Sequence, residues 1–129
     1  MAKEKIVLLV DDDIDYLMQQ KIALERAGFQ VKTAEGRQEA REILAETVPD
    51  CAVIDLMMEE MDSGFTLAYD IKKKIADIPV IIVTAVSHET GMKFERFSEY
   101  EKDWIKADKI LAKPVRPDQL VKEIKRLLA

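Results

Sequence analysis

Acidic, hydroxyl and basic side chains follow short apolar runs at four separate places in this sequence. Asp11 and Asp12 follow KIVLLV, Asp55 follows CAVI, Thr84 follows IPVIIV, and Lys113 ends KILAK. Carboxylates brought close together disfavour joint ionisation unless a cation neutralises them. Ligands that are all oxygen indicate a hard ion, and a partly open shell of few carboxylates favours Mg2+ over Ca2+. With a hydroxyl and an ammonium beside it, such a site is suited to binding a phosphoryl group.

These side chains meet only if the apolar runs are neighbouring parallel strands. The runs are short, rich in β-branched residues and nearly continuous, which is typical of strands covered on both faces. The predicted strands are 5–10, 29–34, 51–54, 78–83 and 109–113. Stretches with helical spacing of apolar residues separate them. The predicted helices are 14–27, 37–47, 65–76, 94–107 and 117–128.

Strict alternation of strands and helices predicts a doubly wound α/β domain with a five-stranded parallel sheet. Ligands of such sheets bind outside the carboxyl ends of the strands. The side chains at all four places are therefore expected to lie at the predicted binding edge of the sheet. Asp13 and Asp15 are instead interpreted as an acidic helix start, which the helix dipole favours.

The length and composition limit the remaining possibilities. At 129 residues, with 48% hydrophobic and 35% charged residues, the chain is expected to form one domain with one core. A single Cys makes no internal disulfide and needs no oxidising compartment. A net charge of -5 argues against broad nucleic-acid binding. No apolar run approaches the length of a membrane span, so a cytoplasmic location is expected.

Four motifs in order carry a resemblance to a known family. They are VLLVDDD, VIDLMM with Met61-Asp62 downstream, IVTA, and the Lys113-Pro114 pair. Over its whole length the chain resembles the receiver domain of two-component response regulators, in the CheY-like superfamily. The resemblance implies a flavodoxin-like (βα)5 fold with strand order 2-1-3-4-5. It also implies a phosphorelay protein, not an enzyme, that changes its partner-binding surface.

The resemblance assigns a role to each residue at the edge. Asp55 is expected to accept a phosphoryl group from a histidine kinase or a histidine phosphotransfer protein. Thr84 is expected to donate a hydrogen bond to a phosphoryl oxygen, and Lys113 to pair with the same oxygens. A cis bond between Lys113 and Pro114 is also implied, a geometry that proline makes accessible.

The same resemblance implies a Mg2+ site. Asp12, Asp55 and the backbone carbonyl of Met57 are expected to ligate the ion. Asp11 is expected to act through water or to help place the ion. The metal would thus lie beside the phosphoacceptor.

Partner surfaces and domain limits are also implied. A downstream protein or a second copy is expected to bind the face of the fourth helix, fifth strand and fifth helix. Direct binding to nucleic acid or to a membrane is not expected. Residues 1–129 are interpreted as one receiver domain without an output domain, with an extended segment, 86–107, between the fourth and fifth strands.

Several positions depart from the family pattern. Glu59 stands where the family usually has Pro, and Ser63 is inserted before Gly64. Ile110 replaces the usual aromatic residue three positions before the lysine, so an aromatic switch coupled to Thr84 is not available. These departures keep open a pseudo-receiver that only binds partners.

A phosphatase of the haloacid dehalogenase type is a further alternative, because that superfamily also uses a strand-end Asp-x-Asp, a Thr and a Lys. Its nucleophile would be Asp11, but the later acidic pair has no counterpart and the chain leaves no room for a cap domain.

Other residues are given structural interpretations. Cys51 opens an apolar strand and is expected to be a buried small hydrophobe. Core packing is favoured over a partner-binding stripe for the aromatic residues at helical spacing in the extended segment. These are Phe94, Phe97, Tyr100 and Trp104.

Overall fold

The computed structural model describes residues 5–55, 63–75, 77–84, 108–112 and 115–128. Within these ranges the strands are β1 (Ile6–Val10), β2 (Gln30–Ala34), β3 (Cys51–Asp55), β4 (Val80–Thr84) and β5 (Lys109–Ala112). The helices are α1 (Ile14–Arg26), α2 (Arg37–Glu46), α3 (Ser63–Lys74) and α4 (Pro117–Leu128). The helix predicted over 94–107 lies outside the described residues, so α4 is the fifth helix of the sequence prediction.

The five strands form one parallel sheet in the order β2-β1-β3-β4-β5. This confirms the doubly wound α/β prediction and the strand order that the resemblance implied. The register pairs Val10 with Ile54 and Thr84 with Ala112. The carboxyl ends of the three central strands and of β5 therefore lie side by side.

Two apolar clusters lie on the two faces of the sheet. One joins the strands to α2 and α3 through residues such as Ala40 and Ile71. The other joins them to α1 and α4 through residues such as Leu24 and Leu120. All five residues of β3 are buried, as expected for a central strand with helices on both faces.

The apolar residues of helix α1 lie on two faces, and only one of them meets the core. Three apolar side chains of this helix are exposed, namely Ile14, Met18 and Ile22, at 56%, 48% and 46%. The buried face consists of Leu17, Gln20 and Leu24. At about 100° per residue the helix carries two adjacent stripes, and the apolar period alone does not say which one meets the sheet.

The boundaries of two elements differ from the prediction by two residues, and those of the other described elements differ by at most one. Helix α3 begins at Ser63, two residues before its predicted start. Strand β4 begins at Val80, although Ile78 is buried. Pro79 separates the two and has no N–H to donate to a neighbouring strand. Among the described helices, none is both long and apolar enough to cross a bilayer.

Candidate functional site

Three carboxylates converge at the carboxyl edge of the sheet. One carboxylate oxygen from each of Asp11, Asp12 and Asp55 lies within 4.8 Å of the other two. Asp11 directly follows β1 and Asp55 ends β3. Because the register pairs the residues just before them, the two aspartates lie side by side. The structure therefore brings together three of the side chains that the sequence placed at this edge.

Hydrogen bonds to the chain fix the orientation of Asp11. Its Oδ1 accepts a hydrogen bond from the backbone N–H of Asp13 at 2.9 Å. Its own backbone N–H donates to the carbonyl oxygen of Ala34 at 3.1 Å. Asp11 is 3% exposed, so its carboxylate is held in place with little contact with solvent.

Asp13 has a structural role in the same segment. It is the N-cap of α1, and its Oδ1 accepts a hydrogen bond from the backbone N–H of Tyr16 at 3.1 Å. Asp15 lies in the first turn of the helix. Their interpretation as a helix start agrees with this geometry, since both positions favour negative charge at a helix N-terminus.

The chemistry of the three-carboxylate group fits a hard cation. Asp55 is 5% exposed and Asp11 is nearly as buried, whereas Asp12 faces solvent. Burying like charges together is costly unless an opposite charge is present. All the available ligand atoms are oxygens, which suits a divalent ion such as Mg2+ and does not suit metals that prefer nitrogen or sulfur. The group could therefore bind a metal ion that enters from the side of Asp12.

The remaining predicted site residues are described only in part. Thr84 is the last residue of β4, and its backbone lies at the same edge, next to Ala112 of β5. Lys113 directly follows Ala112 in the chain, but it lies outside the described residues, as do Met57, Glu59 and the Lys113-Pro114 bond. Their assigned roles stay predictions.

Cys51 is a buried thiol at the opposite, amino-terminal end of β3. Burial raises its pKa to about 12, and the nearby carboxylate of Asp108 adds to the shift. The thiol is therefore neutral at physiological pH, and the prediction of a buried small hydrophobe is confirmed.

The departures from the family pattern fall partly on described residues. Ile110 is half-buried and packs against the apolar cluster on the α2 and α3 side of the sheet. The aromatic residues of 86–107 lie outside the described residues, so core packing stays a prediction for them.

Sequence reasoning missed one buried polar residue of α1. Gln20 is 1% exposed, and its Nε2 donates a hydrogen bond to the carbonyl oxygen of Val115 at 2.9 Å. The available signal was its place on α1 between Leu17 and Leu24, on the stripe that meets the core. A glutamine on that stripe is unusual, because this residue is mostly exposed in proteins.

Comparison with protein families and characterised relatives agrees with this geometry. Residues 7–125 match the model of the response regulator receiver domain. The chain is 35% identical to the transcriptional regulatory protein GltR of Pseudomonas aeruginosa, over 98% of this chain and 50% of that protein. It is 34% identical to the transcriptional regulatory protein SrrA of Staphylococcus aureus, over 95% of this chain and 47% of that protein. The chain thus spans about half the length of these relatives.

Solved structures give the same result. The chemotaxis protein CheY4 of Vibrio cholerae matches with a TM-score of 0.83 and 26% identity, over 98% of this chain and 100% of that chain. The response regulator TrrA of Thermotoga maritima, in complex with Mg(2+)-BeF, matches with a TM-score of 0.77 and 30% identity, over 96% of this chain and 99% of that chain. Together with the strand order and the carboxylates at the sheet edge, these matches show that the chain belongs to the response regulator receiver domain family.

Proposed function

We propose that this receiver domain accepts a phosphoryl group on Asp55 and transmits the signal by changing the surface that it offers to partners. The observation that supports the proposal is the placement of Asp55 at the carboxyl edge of β3, with Asp11 and Asp12 within 4.8 Å. No other group of three metal-ligating side chains is found among the described residues.

The proposed reaction is a phosphoryl transfer to a carboxylate. An oxygen of Asp55 attacks phosphorus, the bond from phosphorus to the donor breaks, and the donor leaves with that electron pair. The product is an acyl phosphate. Carboxylate oxygen is a weak nucleophile, so the site works by positioning and charge neutralisation. Thr84 and Lys113 are the proposed donors to the phosphoryl oxygens.

Mg2+ is the proposed cofactor. Asp12, Asp55 and the Met57 carbonyl would hold the ion, with Asp11 helping to place it. When bound, the ion would neutralise charge on the carboxylates and on the phosphoryl oxygens. The two buried carboxylates support this assignment, because like charges placed side by side favour the binding of a cation.

Phosphorylation would act as a switch through added charge. A phosphoryl group brings roughly 1.5 to 2 negative charges at neutral pH. Thr84 and Lys113 would be drawn toward the new oxygens, which biases a two-state equilibrium of the segments after β4 and β5. Ile110 cannot serve as an aromatic switch, so the change would reach the surface through these segments.

The proposed upstream partner is a histidine kinase or a histidine phosphotransfer protein. The proposed location is the cytoplasm, where the domain would meet this partner. A downstream protein or a second copy would bind the face that includes β5 and α4. This face carries charged side chains. The carboxylate of Glu123 lies 3.9 Å from Lys109 Nζ and 3.8 Å from Arg126 Nη1. With a net charge of -5, we do not assign nucleic-acid binding to this domain itself.

The test is to locate the adduct after incubation with acetyl phosphate and Mg2+. Proteolysis and mass spectrometry should place one acid-stable, base-labile phosphoryl group on the peptide that contains Asp55. A phosphoryl group on the Asp11 peptide, with turnover of phosphate esters, would instead support the phosphatase alternative. A protein that binds Mg2+ but never forms an adduct would be the pseudo-receiver.

The contacts of Asp11 argue against the phosphatase alternative. Its Oδ1 accepts a hydrogen bond from the backbone N–H of Asp13, which makes this oxygen a weaker nucleophile. We therefore assign no turnover of external substrates, and the phosphoryl group would stay on Asp55 until it is hydrolysed or transferred.

A further inference from the structure

The side chain of Gln20 links helix α1 to the segment that follows β5. It is 1% exposed, and its Nε2 donates to the carbonyl oxygen of Val115 at 2.9 Å, between residues 95 positions apart in the chain. Burying an amide is costly unless it is hydrogen-bonded. A leucine at this position would match the rest of the stripe, so packing alone does not explain a glutamine.

The bonded carbonyl lies close in sequence to the proposed phosphoryl-binding lysine. Val115 is the second residue after Lys113, and its side chain is buried in the cluster on the α1 and α4 side. On the other side of the lysine, Ala112 is fixed by its pairing with Thr84. Each residue can extend the chain by at most about 3.5 Å, so fixing Ala112 and Val115 limits where Lys113 can lie.

The same helix also holds the acidic part of the site. Asp13 caps α1 directly after Asp11 and Asp12. Gln20 lies seven residues further on, about 10 Å along the helix axis at 1.5 Å per residue. One rigid element therefore fixes the carboxylates at its start and the segment that follows Lys113 through Gln20.

We propose that Gln20 is a positioning residue for phosphoryl transfer: by holding the Val115 carbonyl, it sets the place of Lys113 relative to Asp55. Gln20 does not contact the reacting atoms, so it is not a catalytic residue. This inference rests on the proposed function, because it assumes the role of Lys113 described above.

The second polar atom of the side chain makes the inference testable. Among the described residues, Gln20 Oε1 has no hydrogen-bond partner. Methionine has a similar length and no buried oxygen to satisfy, so Gln20→Met removes the bond to Val115 while keeping much of the packing. Gln20→Leu is the second variant if the methionine does not fold.

The experiment compares four proteins at saturating Mg2+: wild type, Gln20→Met, Lys113→Ala and the double variant. The initial rate of adduct formation with acetyl phosphate is measured by intact mass, and the dissociation constant of Mg2+ by calorimetry. We expect Gln20→Met to lower the rate by about tenfold, since small misplacements of a charge-neutralising group are costly. The Mg2+ constant should not change. In the Lys113→Ala background the Gln20 substitution should have no further effect.

A matched control separates positioning from stability. Leu24→Val shortens a buried side chain on the same stripe of α1 and leaves the hydrogen bond between Gln20 and Val115 in place, so it should lower the melting temperature and leave the rate unchanged. The inference is overturned if Gln20→Met reacts at the wild-type rate, if its effect is equally large without Lys113, or if Leu24→Val slows the reaction as much. If the wild type itself forms no adduct, the proposed function fails and the inference with it.

Discussion

At the level of single residues, the three consecutive aspartates after β1 have different tasks. Asp11 is buried and bonded to the Asp13 N–H, Asp12 faces solvent, and Asp13 caps α1. Asp55 joins the first two from the neighbouring strand. Of these three consecutive aspartates, Asp11 and Asp12 are therefore the two that lie beside Asp55 and could surround a cation.

The different tasks predict different effects on Mg2+ binding. Asp12→Ala should weaken Mg2+ binding at least tenfold, because even the loss of an outer partner of a metal ligand costs about 10- to 100-fold. Asp13→Asn keeps the helix cap and removes a nearby charge, so it should weaken binding only slightly. Calorimetric titration with MgCl2 measures both. Equal losses in the two variants would mean that overall negative charge, and not a defined site, attracts the ion.

The neutral thiol of Cys51 predicts slow chemistry. The thiolate is the reactive form, and burial raises the pKa of this thiol to about 12. In the folded protein at pH 8, a thiol reagent such as 5,5'-dithiobis(2-nitrobenzoate) should react only as fast as the protein unfolds. In urea above the unfolding midpoint, reaction should be immediate. Rapid labelling of the folded protein would contradict the buried position.

Residue-level prediction from the sequence succeeded where the strand pattern fixed the position. Asp11 and Asp55 were placed correctly because each directly follows an apolar run, and parallel strands end at one edge. Gln20 was missed because its role depends on Val115, 95 residues away. Nothing local to Gln20 indicates that partner.

At the level of elements, the end of α1 depends on one glycine. Gly28 has φ of +99°, and the N–H of Phe29 next to it donates to the carbonyl of Leu24 at 3.0 Å. This is the bonding pattern of a glycine-terminated helix. The turn leads directly into β2, so the position of an edge strand depends on it.

Gly28→Ala should lower the free energy of unfolding by roughly 1 kcal/mol, since a side chain is disfavoured in the left-handed region. The added Cβ would meet no atom within 4 Å, so the loss would come from the backbone conformation alone. Gly28→Asn should lose less, because asparagine tolerates this region better. Urea denaturation followed by circular dichroism measures both. An alanine variant as stable as the wild type would contradict the assignment.

Element boundaries and faces were predictable to different extents. Continuous apolar runs identified the strands, and β3 is buried at every residue as that pattern requires. Helix α1 was located correctly, but its apolar residues form two stripes, and the sequence does not say which of them meets the core. Leu17 and Leu24 meet the core, whereas Ile14 and Met18 do not.

At the level of the whole molecule, strict alternation of elements predicted the doubly wound sheet without any comparison. The order β2-β1-β3-β4-β5 came only from the family resemblance, because alternation alone allows other orders of parallel strands. The extent of the domain is still a prediction, since the relatives are about twice as long as this chain.

The clustered negative charge predicts a linkage between Mg2+ and global stability. Without Mg2+, Asp12→Asn should melt at a higher temperature than the wild type, because the substitution removes one of three neighbouring like charges. At 100 times the dissociation constant, Mg2+ should stabilise the wild type by about 2.7 kcal/mol. Mg2+ should stabilise the variant much less. The difference between the two melting temperatures should therefore become smaller or change sign when Mg2+ is added. Scanning calorimetry with EDTA and with MgCl2 tests this, and an order independent of Mg2+ would contradict it.

The most direct test of phosphoryl transfer to Asp55 is intact-mass measurement after incubation with acetyl phosphate. The wild type with Mg2+ should gain the mass of one phosphoryl group, and the gain should disappear with EDTA and in Asp55→Ala. An undiminished gain in Asp55→Ala, or no gain in the wild type with Mg2+, would contradict the assignment of Asp55 as the phosphoacceptor.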